Sequence, residues 1–216
     1  MGHTFVRFAK VRVKKIMLVI GLTGNIASGK TTVAKMFEAN GQLVICSDEV
    51  VRRLQKPKSP ALAKIAHVFG GYAINEDGSL NRKWLADMVF KDITARKKLN
   101  DIMHPLVVDE LKKATLAAKR LAKKHLVLDI PLLYEANLEH LVDVVVVVYT
   151  SKDVQLERLM KRDGISEQTA LEKISSQMDS AKKASRADFI IENNGTIEEL
   201  EKNFESIFTL ATAHLS

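Results

Sequence analysis

Five short runs along the chain are apolar and rich in β-branched residues, which is the pattern of strands buried in a sheet. They span residues 16–23, 43–45, 126–130, 142–149 and 188–192. The fourth run contains five consecutive valines and is therefore apolar on both faces. Such a strand is typical of a parallel sheet that helices cover on each side.

Between these runs, apolar residues recur every three to four positions and predict helices. The predicted helices cover residues 30–40, 48–54, 60–69, 81–90, 152–162 and much of 166–185. Ser59 with Pro60, and Asn81, have the side chains that commonly begin a helix. Thr196 and Glu199 form a capping box for the last helix.

The region 60–125 is predicted to be mainly helical, with one interruption. We expect His104-Pro105 to end a helix that covers residues 94–103, because proline cannot donate a backbone hydrogen bond. An amphipathic helix with Val107, Leu111 and Ala118 on its apolar side then follows. Strands that alternate with helices indicate an α/β fold with three layers around a parallel sheet.

The charge of the chain is concentrated at its N-terminus. The 33 Lys and Arg residues outnumber the 26 Asp and Glu residues, for a net charge of +7. Residues 1–16 contain five basic residues and no acidic ones, which leaves only +2 for the other 200 residues. A nearly neutral domain has no need of a polyanion, so we predict no nucleic-acid partner.

We interpret residues 1–16 as a basic, disordered extension, or as the product of an early start codon with Met17 as the natural start. No apolar run approaches the length of about 20 residues that spans a membrane, so we expect no membrane contact. The single cysteine, Cys46, cannot form an intrachain disulfide, which fits a reducing compartment and a cytoplasmic location.

The strongest motif lies directly after the first predicted strand. Gly24-Asn25-Ile26-Ala27-Ser28-Gly29-Lys30-Thr31 matches the phosphate-loop pattern G-x-x-x-x-G-K-[ST], and a predicted helix follows it. Its glycines allow a tight turn that directs backbone N–H groups at phosphate oxygens. Lys30 can reach the β- and γ-phosphates of a nucleotide, and the Thr31 hydroxyl can hold Mg²⁺. GTPases, ATPases and small-molecule kinases all use such a loop, and the helical insertion after the second strand favours a kinase.

Further motifs lead into the loop or follow it in a fixed order. They are Gly21-Leu22-Thr23-Gly24, Asp48, Phe69-Gly70, Asp77-Gly78-Ser79-Leu80-Asn81-Arg82, His104-Pro105, Pro131-Leu132-Leu133-Tyr134-Glu135, Arg162-Asp163-Gly164, Gln177, Ala187-Asp188 and Asn193-Asn194-Gly195. In this combination the chain resembles the dephospho-CoA kinases, which transfer the γ-phosphate of ATP to the ribose 3′-hydroxyl of dephospho-coenzyme A. The resemblance extends from Met17 nearly to the C-terminus.

The resemblance implies a P-loop kinase fold with a five-stranded parallel sheet, a helical substrate lobe and a lid. We expect a single domain over residues 17–216, with a core at 17–59, 126–157 and 186–216. The lobe would cover about 60–125 and the lid about 158–185. ATP and dephospho-CoA would be the partners, Mg²⁺ the cofactor, and the enzyme a monomer or weak homo-oligomer.

The resemblance also assigns the catalytic residues. Asp48 would act as the base toward the ribose hydroxyl, although an aspartate there could equally be the N-cap of the following helix. Arg162 would offset charge on the transferred phosphoryl group, and Arg158 could serve similarly, unless both are ordinary exposed helix arginines. Lys30 completes the catalytic set.

The predicted binding residues form three groups. For ATP they are Gly24, Asn25, Ala27, Ser28, Gly29, Lys30, Thr31, Thr32, Arg158, Arg162, Asn193 and Gly195; Asn193 and Gly195 would lie around the adenine, or simply form a turn. For dephospho-CoA they are Asp48, Arg52, Arg82, His104, Pro131, Leu132 and Leu133; core packing is the default interpretation for the leucines. For Mg²⁺ they are Thr31 and, through water, Asp129, which could equally be structural.

The chain departs from the family pattern in three ways. The family loop usually has glycines where this chain has Asn25 and Ala27, and Ala27 needs a conformation that tolerates its Cβ. Cys46-Ser47-Asp48 replaces a frequent Asp-Ala-Asp, so a paired carboxylate is missing. Lys173 stands where arginine is common. Two other functions stay open at this level: another P-loop kinase with a different small acceptor, and a regulatory protein that binds nucleotide and nucleic acid.

Overall fold

The structure is a computed structural model and describes residues 17–212. The predicted extension at 1–16 lies outside these residues. The described residues form five strands, in chain order β1 (Leu18–Gly24), β2 (Leu43–Cys46), β3 (His125–Asp129), β4 (Val144–Tyr149) and β5 (Phe189–Glu192). They also form nine α-helices: α1 (Lys30–Ala39), α2 (Ser47–Leu54), α3 (Pro60–Phe69), α4 (Arg82–Lys91), α5 (Ile93–Arg120), α6 (Lys152–Asp163), α7 (Glu167–Ser175), α8 (Ser180–Ala184) and α9 (Ile197–Thr212).

The five strands form one sheet in the order β2-β3-β1-β4-β5, with β1 in the middle. β1 runs parallel to both β3 and β4, and β4 runs parallel to β5. Leu22 is aligned with Asp129, and Gly24 with Val148, so the carboxyl ends of these strands meet at one edge. The prediction of an α/β fold with a five-stranded parallel sheet is confirmed. Ligands of open parallel sheets bind at this edge.

Alternate residues of the central strands pack against the first and last helices. Leu18, Ile20 and Leu22 of β1 are fully buried in one apolar cluster with Phe37 of α1 and Phe204 of α9. The rings of Phe37 and Phe204 meet edge to face, 5.0 Å apart between centroids. This cluster fixes α1, and therefore the loop before it, against β1.

Residues 17–45 and 115–212 form one compact unit, and residues 46–114 form a second. The first contains most of the sheet with α1 and α6–α9. The second contains α2, α3 and α4, where Ser59 and Asn81 cap α3 and α4 as predicted. In residues 17–212 no helix combines the length and the apolar character that crossing a membrane requires.

The predicted break at His104-Pro105 is wrong, because α5 continues through Pro105. A proline in a helix removes one hydrogen bond, at a cost of about 3 kcal/mol. Met103, Val107 and Leu111 are buried at a spacing of four residues on both sides of the proline. Burial of this continuous apolar stripe offsets the lost bond, since each large side chain contributes about 1.5–3 kcal/mol.

Candidate active site

The loop between β1 and α1 needs its outer glycines for steric reasons. A Cβ on Gly24 would lie 2.7 Å from Ser28 Oγ and 2.8 Å from the Val148 carbonyl oxygen. Gly29 has a φ of 85°, and a Cβ there would collide with the side-chain amide of Asn193. A larger residue at position 24 would require movement of the backbone, and one at position 29 would displace the Asn193 side chain. The two glycines of the sequence motif therefore lie where the tight turn of the loop requires them.

Ala27 occupies the left-handed region with a φ of 60°. An L-residue with a side chain is disfavoured there by roughly 1–2 kcal/mol. The departure seen in the sequence is thus accommodated, but the loop holds this residue under strain.

The loop ends at a helix N-terminus that suits an anion. The first amides of α1 have no acceptor within the helix, and the first turn contains no acidic residue. Thr32 lies in the same turn, with its amide directed to the Gly29 carbonyl at 2.9 Å. Phosphate oxygens can accept hydrogen bonds from the backbone amides of the residues just before Thr32.

Lys30 and Asp129 meet at the edge of the sheet. The Lys30 Nζ lies 2.5 Å from Asp129 Oδ1, and both side chains are about nine-tenths buried. Asp129 ends β3, the direct neighbour of β1, so the sheet register brings the two together. An ammonium group has three donors, and the pair leaves Lys30 able to donate to a phosphate as well.

Thr31 and Asp129 are the predicted metal-binding residues. Thr31 is exposed in the first turn of α1. The Asp129 carboxylate pairs with Lys30, the residue directly before Thr31 in the sequence. Hydroxyl and carboxylate oxygens are the ligands that Mg²⁺ prefers, commonly with water and substrate phosphates completing the shell. Within the described ranges no cluster of three or more His, Cys, Asp or Glu side chains could hold a metal by itself. The donor set fits a metal that binds together with a nucleotide.

The residues predicted to surround adenine lie beneath the phosphate loop. Asn193 Nδ2 donates to the Ser28 carbonyl at 2.8 Å, and Thr150 Oγ1 donates to the same carbonyl at 3.2 Å. Arg158 donates to the carbonyls of Asn193 and Gly195 at 2.7 and 3.1 Å. The structure thus brings together four of the predicted ATP residues, which are Ser28, Arg158, Asn193 and Gly195. Thr150 was not predicted, because a buried threonine after a strand gives no signal in the sequence.

The segment between α7 and α8 contacts the other side of the phosphate loop. Gln177 Oε1 accepts the Ile26 amide at 2.8 Å, and Asn25 Nδ2 donates to the Met178 carbonyl at 2.7 Å. Gln155 of α6 donates to the Ile26 carbonyl at 2.8 Å and is 1% exposed. Sequence reasoning noted Gln177 as a motif without a role and missed Gln155.

A buried lysine lies behind this segment. The Lys183 side chain is fully buried, 3.0 Å from Glu135 Oε1 and 3.1 Å from the Pro131 carbonyl. Desolvation lowers the pKa of Lys183, against the raising effect of Glu135 and with a further lowering by Lys30. Thr23 Oγ1 donates to the same Pro131 carbonyl at 2.9 Å. Nothing in the sequence marks this lysine, which lies in a short polar helix next to Lys182.

The three residues after β3 that are predicted to contact dephospho-CoA differ in their burial. Leu133 is fully buried, and its Cδ1 faces Gly21 of β1. Leu132 is 46% exposed, and Pro131 is half-buried. Core packing therefore accounts for Leu133 in this conformation, while Leu132 is accessible.

The predicted lid arginine pairs with its neighbour. Arg162 Nε lies 2.8 Å from Asp163 Oδ1, and Lys173 Nζ lies 3.0 Å from Asp163 Oδ2. The hydrogen bond from the Arg162 guanidinium, and to a smaller extent that from the Lys173 ammonium, lowers the pKa of Asp163 to about 2. The Arg162 side chain is 56% exposed, so the pair lies in water and holds the arginine only weakly.

Asp48, Arg52, Arg82 and His104 all belong to the unit of residues 46–114. Asp48 and Arg52 are exposed on α2, and the N-cap of this helix is Cys46. The alternative that Asp48 is the N-cap is wrong, since it lies one residue inside the helix. Arg82 Nη1 donates to the buried Gln55 Oε1 at 2.6 Å, and His104 is exposed on α5.

Comparison with known proteins places this architecture in a family. The family model for dephospho-CoA kinase matches residues 18–199. The dephospho-CoA kinase of Syntrophotalea carbinolica is 45% identical over 183 residues, which cover 85% of this chain and 87% of that protein.

Two solved structures extend the comparison to the fold. The crystal structure of TT1252 from Thermus thermophilus has a TM-score of 0.78 at 31% identity, covering 91% of this chain and 98% of that chain. The dephospho-CoA kinase from Campylobacter jejuni has a TM-score of 0.68 at 27% identity, covering 90% and 98%. With its phosphate loop, its sheet order and these matches over most of its length, the chain belongs to the dephospho-CoA kinase family.

Proposed function

We propose that the protein transfers the γ-phosphate of ATP to the ribose 3′-hydroxyl of dephospho-coenzyme A, yielding coenzyme A and ADP. The observation that carries this proposal is the complete phosphate loop at the carboxyl edge of the sheet, with Lys30 beside Asp129. Membership of the family supplies the acceptor.

The loop would bind the triphosphate through the backbone amides that begin α1 and through Lys30. Phosphoryl transfer requires little covalent participation from the enzyme, so positioning and charge stabilisation account for most of the rate enhancement. Asp129 keeps Lys30 directed along the sheet edge before the nucleotide arrives. A bound Mg²⁺, held by Thr31 and through water by Asp129, would neutralise charge on the phosphate oxygens.

Asp48 is proposed as the group that accepts the proton of the attacking ribose hydroxyl. It lies in the first turn of α2, two residues after the end of β2, and its side chain is exposed. A carboxylate there is accessible to a hydroxyl and is not engaged as a helix cap.

Arg162 is proposed to stabilise the γ-phosphoryl group after release from Asp163, as part of a lid at residues 158–185. An exposed pair is worth less than about 1 kcal/mol, so a triphosphate can compete for the arginine. Arg158 has a different proposed role, because it donates hydrogen bonds to the carbonyls of Asn193 and Gly195 in the loop after β5. It would shape the site of the adenine through Asn193 and Gly195.

For dephospho-CoA, we assign Arg82 and Arg52 to substrate phosphates and His104 and the accessible Leu132 to further contacts. The Arg82–Gln55 hydrogen bond engages one Nη atom and leaves the remaining guanidinium donors for a phosphate. We further propose that the enzyme acts in the cytoplasm, as a monomer or weak homo-oligomer.

The test is direct. Purified protein is incubated with ATP, Mg²⁺ and dephospho-CoA, and the product is compared with authentic coenzyme A by chromatography and mass spectrometry. Coenzyme A itself, whose 3′ position is already phosphorylated, serves as the blocked acceptor, and AMP, which keeps the ribose 3′-hydroxyl but lacks the pantetheine arm, as a truncated one. We expect turnover with dephospho-CoA alone, and its loss in Lys30→Met. Preference for another acceptor would disprove the proposal.

A further inference from the structure

Two consecutive loop residues, Asn25 and Ile26, form hydrogen bonds with residues outside the loop. The backbone of Ile26 bonds to two glutamine side chains, and the side chain of Asn25 bonds to a backbone carbonyl. The Ile26 amide donates to Gln177 Oε1, and the Ile26 carbonyl accepts from Gln155 Nε2, each at 2.8 Å. The Asn25 side chain donates to the Met178 carbonyl at 2.7 Å. The backbone N–H and C=O groups of Ile26 are therefore both satisfied by glutamine side chains rather than by regular secondary structure.

These contacts are themselves anchored. Ser180 Oγ donates to Gln155 Oε1 at 3.3 Å, and the Met178 amide donates to Glu135 Oε1 at 3.0 Å. Glu135 in turn pairs with the fully buried Lys183. The residues that bind the loop thus form one connected network that reaches α8 and the segment after β3.

The contacts fall directly beside a strained residue of the loop. Ala27, the next residue, has a φ of 60°, a conformation that residues with side chains disfavour. Strained backbone persists only where its surroundings hold it. The hydrogen bonds to Asn25 and Ile26 act directly beside the strained residue and oppose its relaxation.

We propose that Gln177, with Gln155 and Asn25, forms a brace that positions the phosphate loop for nucleotide binding. These three are positioning residues: their side chains act on the triphosphate through the backbone of the loop. The brace holds the loop in its binding shape before ATP arrives, so that less conformational entropy is lost on binding. The inference rests on the proposed function only in that the loop binds ATP.

The brace also connects nucleotide binding to the segment between α7 and α8. Gln177 and Met178 supply two of its three contacts with the loop, so displacement of this segment would release Asn25 and Ile26 together. Asn25 contributes to the brace through its side chain, since a glycine at this position could not donate to the Met178 carbonyl.

Gln177→Met provides the test, because it keeps the length of the side chain and removes the acceptor of the Ile26 amide. The affinity for ATP with Mg²⁺ is measured by calorimetry without dephospho-CoA, and the exchange of the Ile26 amide is followed by NMR without nucleotide. We expect a Kd about tenfold higher, or ~1.4 kcal/mol, and faster exchange of Ile26. Gln168→Met is the matched control, since Gln168 is an exposed glutamine of α7 whose side-chain amide donates to Glu172 across one turn at 3.4 Å. Both quantities should stay at the wild-type values.

A purely structural role would lower the melting temperature of Gln177→Met and leave the Kd of the folded variant unchanged, and that result would overturn the proposal. A higher Kd without faster exchange of Ile26 would overturn it as well. Should Gln177→Met fail to fold, Asn25→Ala is judged by the same two measurements and the same criteria. Because ATP binding is measured alone, failure of the brace is distinguishable from failure of the enzyme to phosphorylate dephospho-CoA.

Discussion

The ammonium group of Lys183 lies 3.0 Å from the carboxylate of Glu135, with the lysine side chain fully buried and the glutamate 22% exposed. Removal of one partner leaves the other charge in a poorly solvated position, so Lys183→Met should lower the free energy of unfolding by about 2 kcal/mol. The double variant Lys183→Met with Glu135→Gln should recover part of that loss. Chemical denaturation measures both.

A matched control is Lys113→Met on α5, where the lysine is 63% exposed and pairs with Asp109 and Glu110. Its cost should stay below about 0.5 kcal/mol, as is usual for exposed ion pairs. Equal costs for the two lysine variants would contradict the interpretation of Lys183 as a buried charge.

Opposite substitutions at two loop positions should have opposite effects. Ala27→Gly relieves the strain at a φ of 60° and should raise stability by about 0.5–1 kcal/mol, after allowance for the greater freedom of glycine when unfolded. Gly29→Ala should lower stability and weaken ATP binding, because the new Cβ displaces Asn193 from the Ser28 carbonyl. Thermal unfolding and ATP titration test the pair, and a stability change of the same sign in both variants would refute the steric argument.

Asp48→Ala should reduce kcat by about 10²–10⁴-fold, since general-base catalysis typically contributes that much. The affinity for ATP should be unchanged, because the proposed partner of Asp48 is the acceptor hydroxyl. Glu49→Ala is the control, as its side chain is the neighbouring exposed carboxylate on α2. Near-normal turnover of Asp48→Ala would remove the residue from the mechanism.

Arg162→Ala should lower kcat about 100-fold, with a smaller effect on the KM for ATP, because the arginine is proposed to act on charge that develops during transfer. Lys161→Ala removes the adjacent exposed cation of the same helix and should leave kcat unaltered. Steady-state kinetics at saturating dephospho-CoA distinguish them. If both variants lose the same activity, the general positive charge of the helix matters rather than Arg162.

The stability of the protein should depend on His125 in mildly acidic solution. Burial lowers the pKa of His125, whose Nδ1 lies 3.1 Å from Gln42 Oε1. The unfolded chain binds the proton more readily, so this histidine costs stability as the pH falls below about 6.5, until the lowered native pKa is reached. His125→Gln should flatten this part of the profile in urea denaturation, whereas His67→Gln on the exposed side of α3 should not. An unchanged slope in His125→Gln would show that another group titrates there.

Much of the fold could be predicted because its signals are local. The apolar runs located all five strands, and Ser59, Asn81 and the Thr196–Glu199 box located three helix starts through side chains that bond within their own turn. The break at Pro105 was wrong because a local penalty was weighed without the apolar stripe of Met103, Val107 and Leu111 on either side.

The phosphate loop was identified from residue types alone, because glycine, lysine and threonine at these positions are required by the chemistry of one ligand. The residues that support this loop from outside could not be identified in the same way. Gln155, Thr150 and Lys183 bind carbonyl groups and a carboxylate that lie 43 to 129 positions away in sequence. Nothing in the composition of the surrounding sequence marks them.

The sequence by itself determined the alternation of strands and helices, the ligand class of the first loop and the family, since each depends on residue types at short, fixed spacings. Only the tertiary structure decided which polar groups are paired at the site. It brought Lys30 to Asp129 through the register of β1 and β3, Asn193 to Ser28, and Gln177 to Ile26. The physical reason is that a buried polar group must find a partner wherever the packed chain offers one, and that position is set by the packing of the sheet and helices rather than by distance along the sequence.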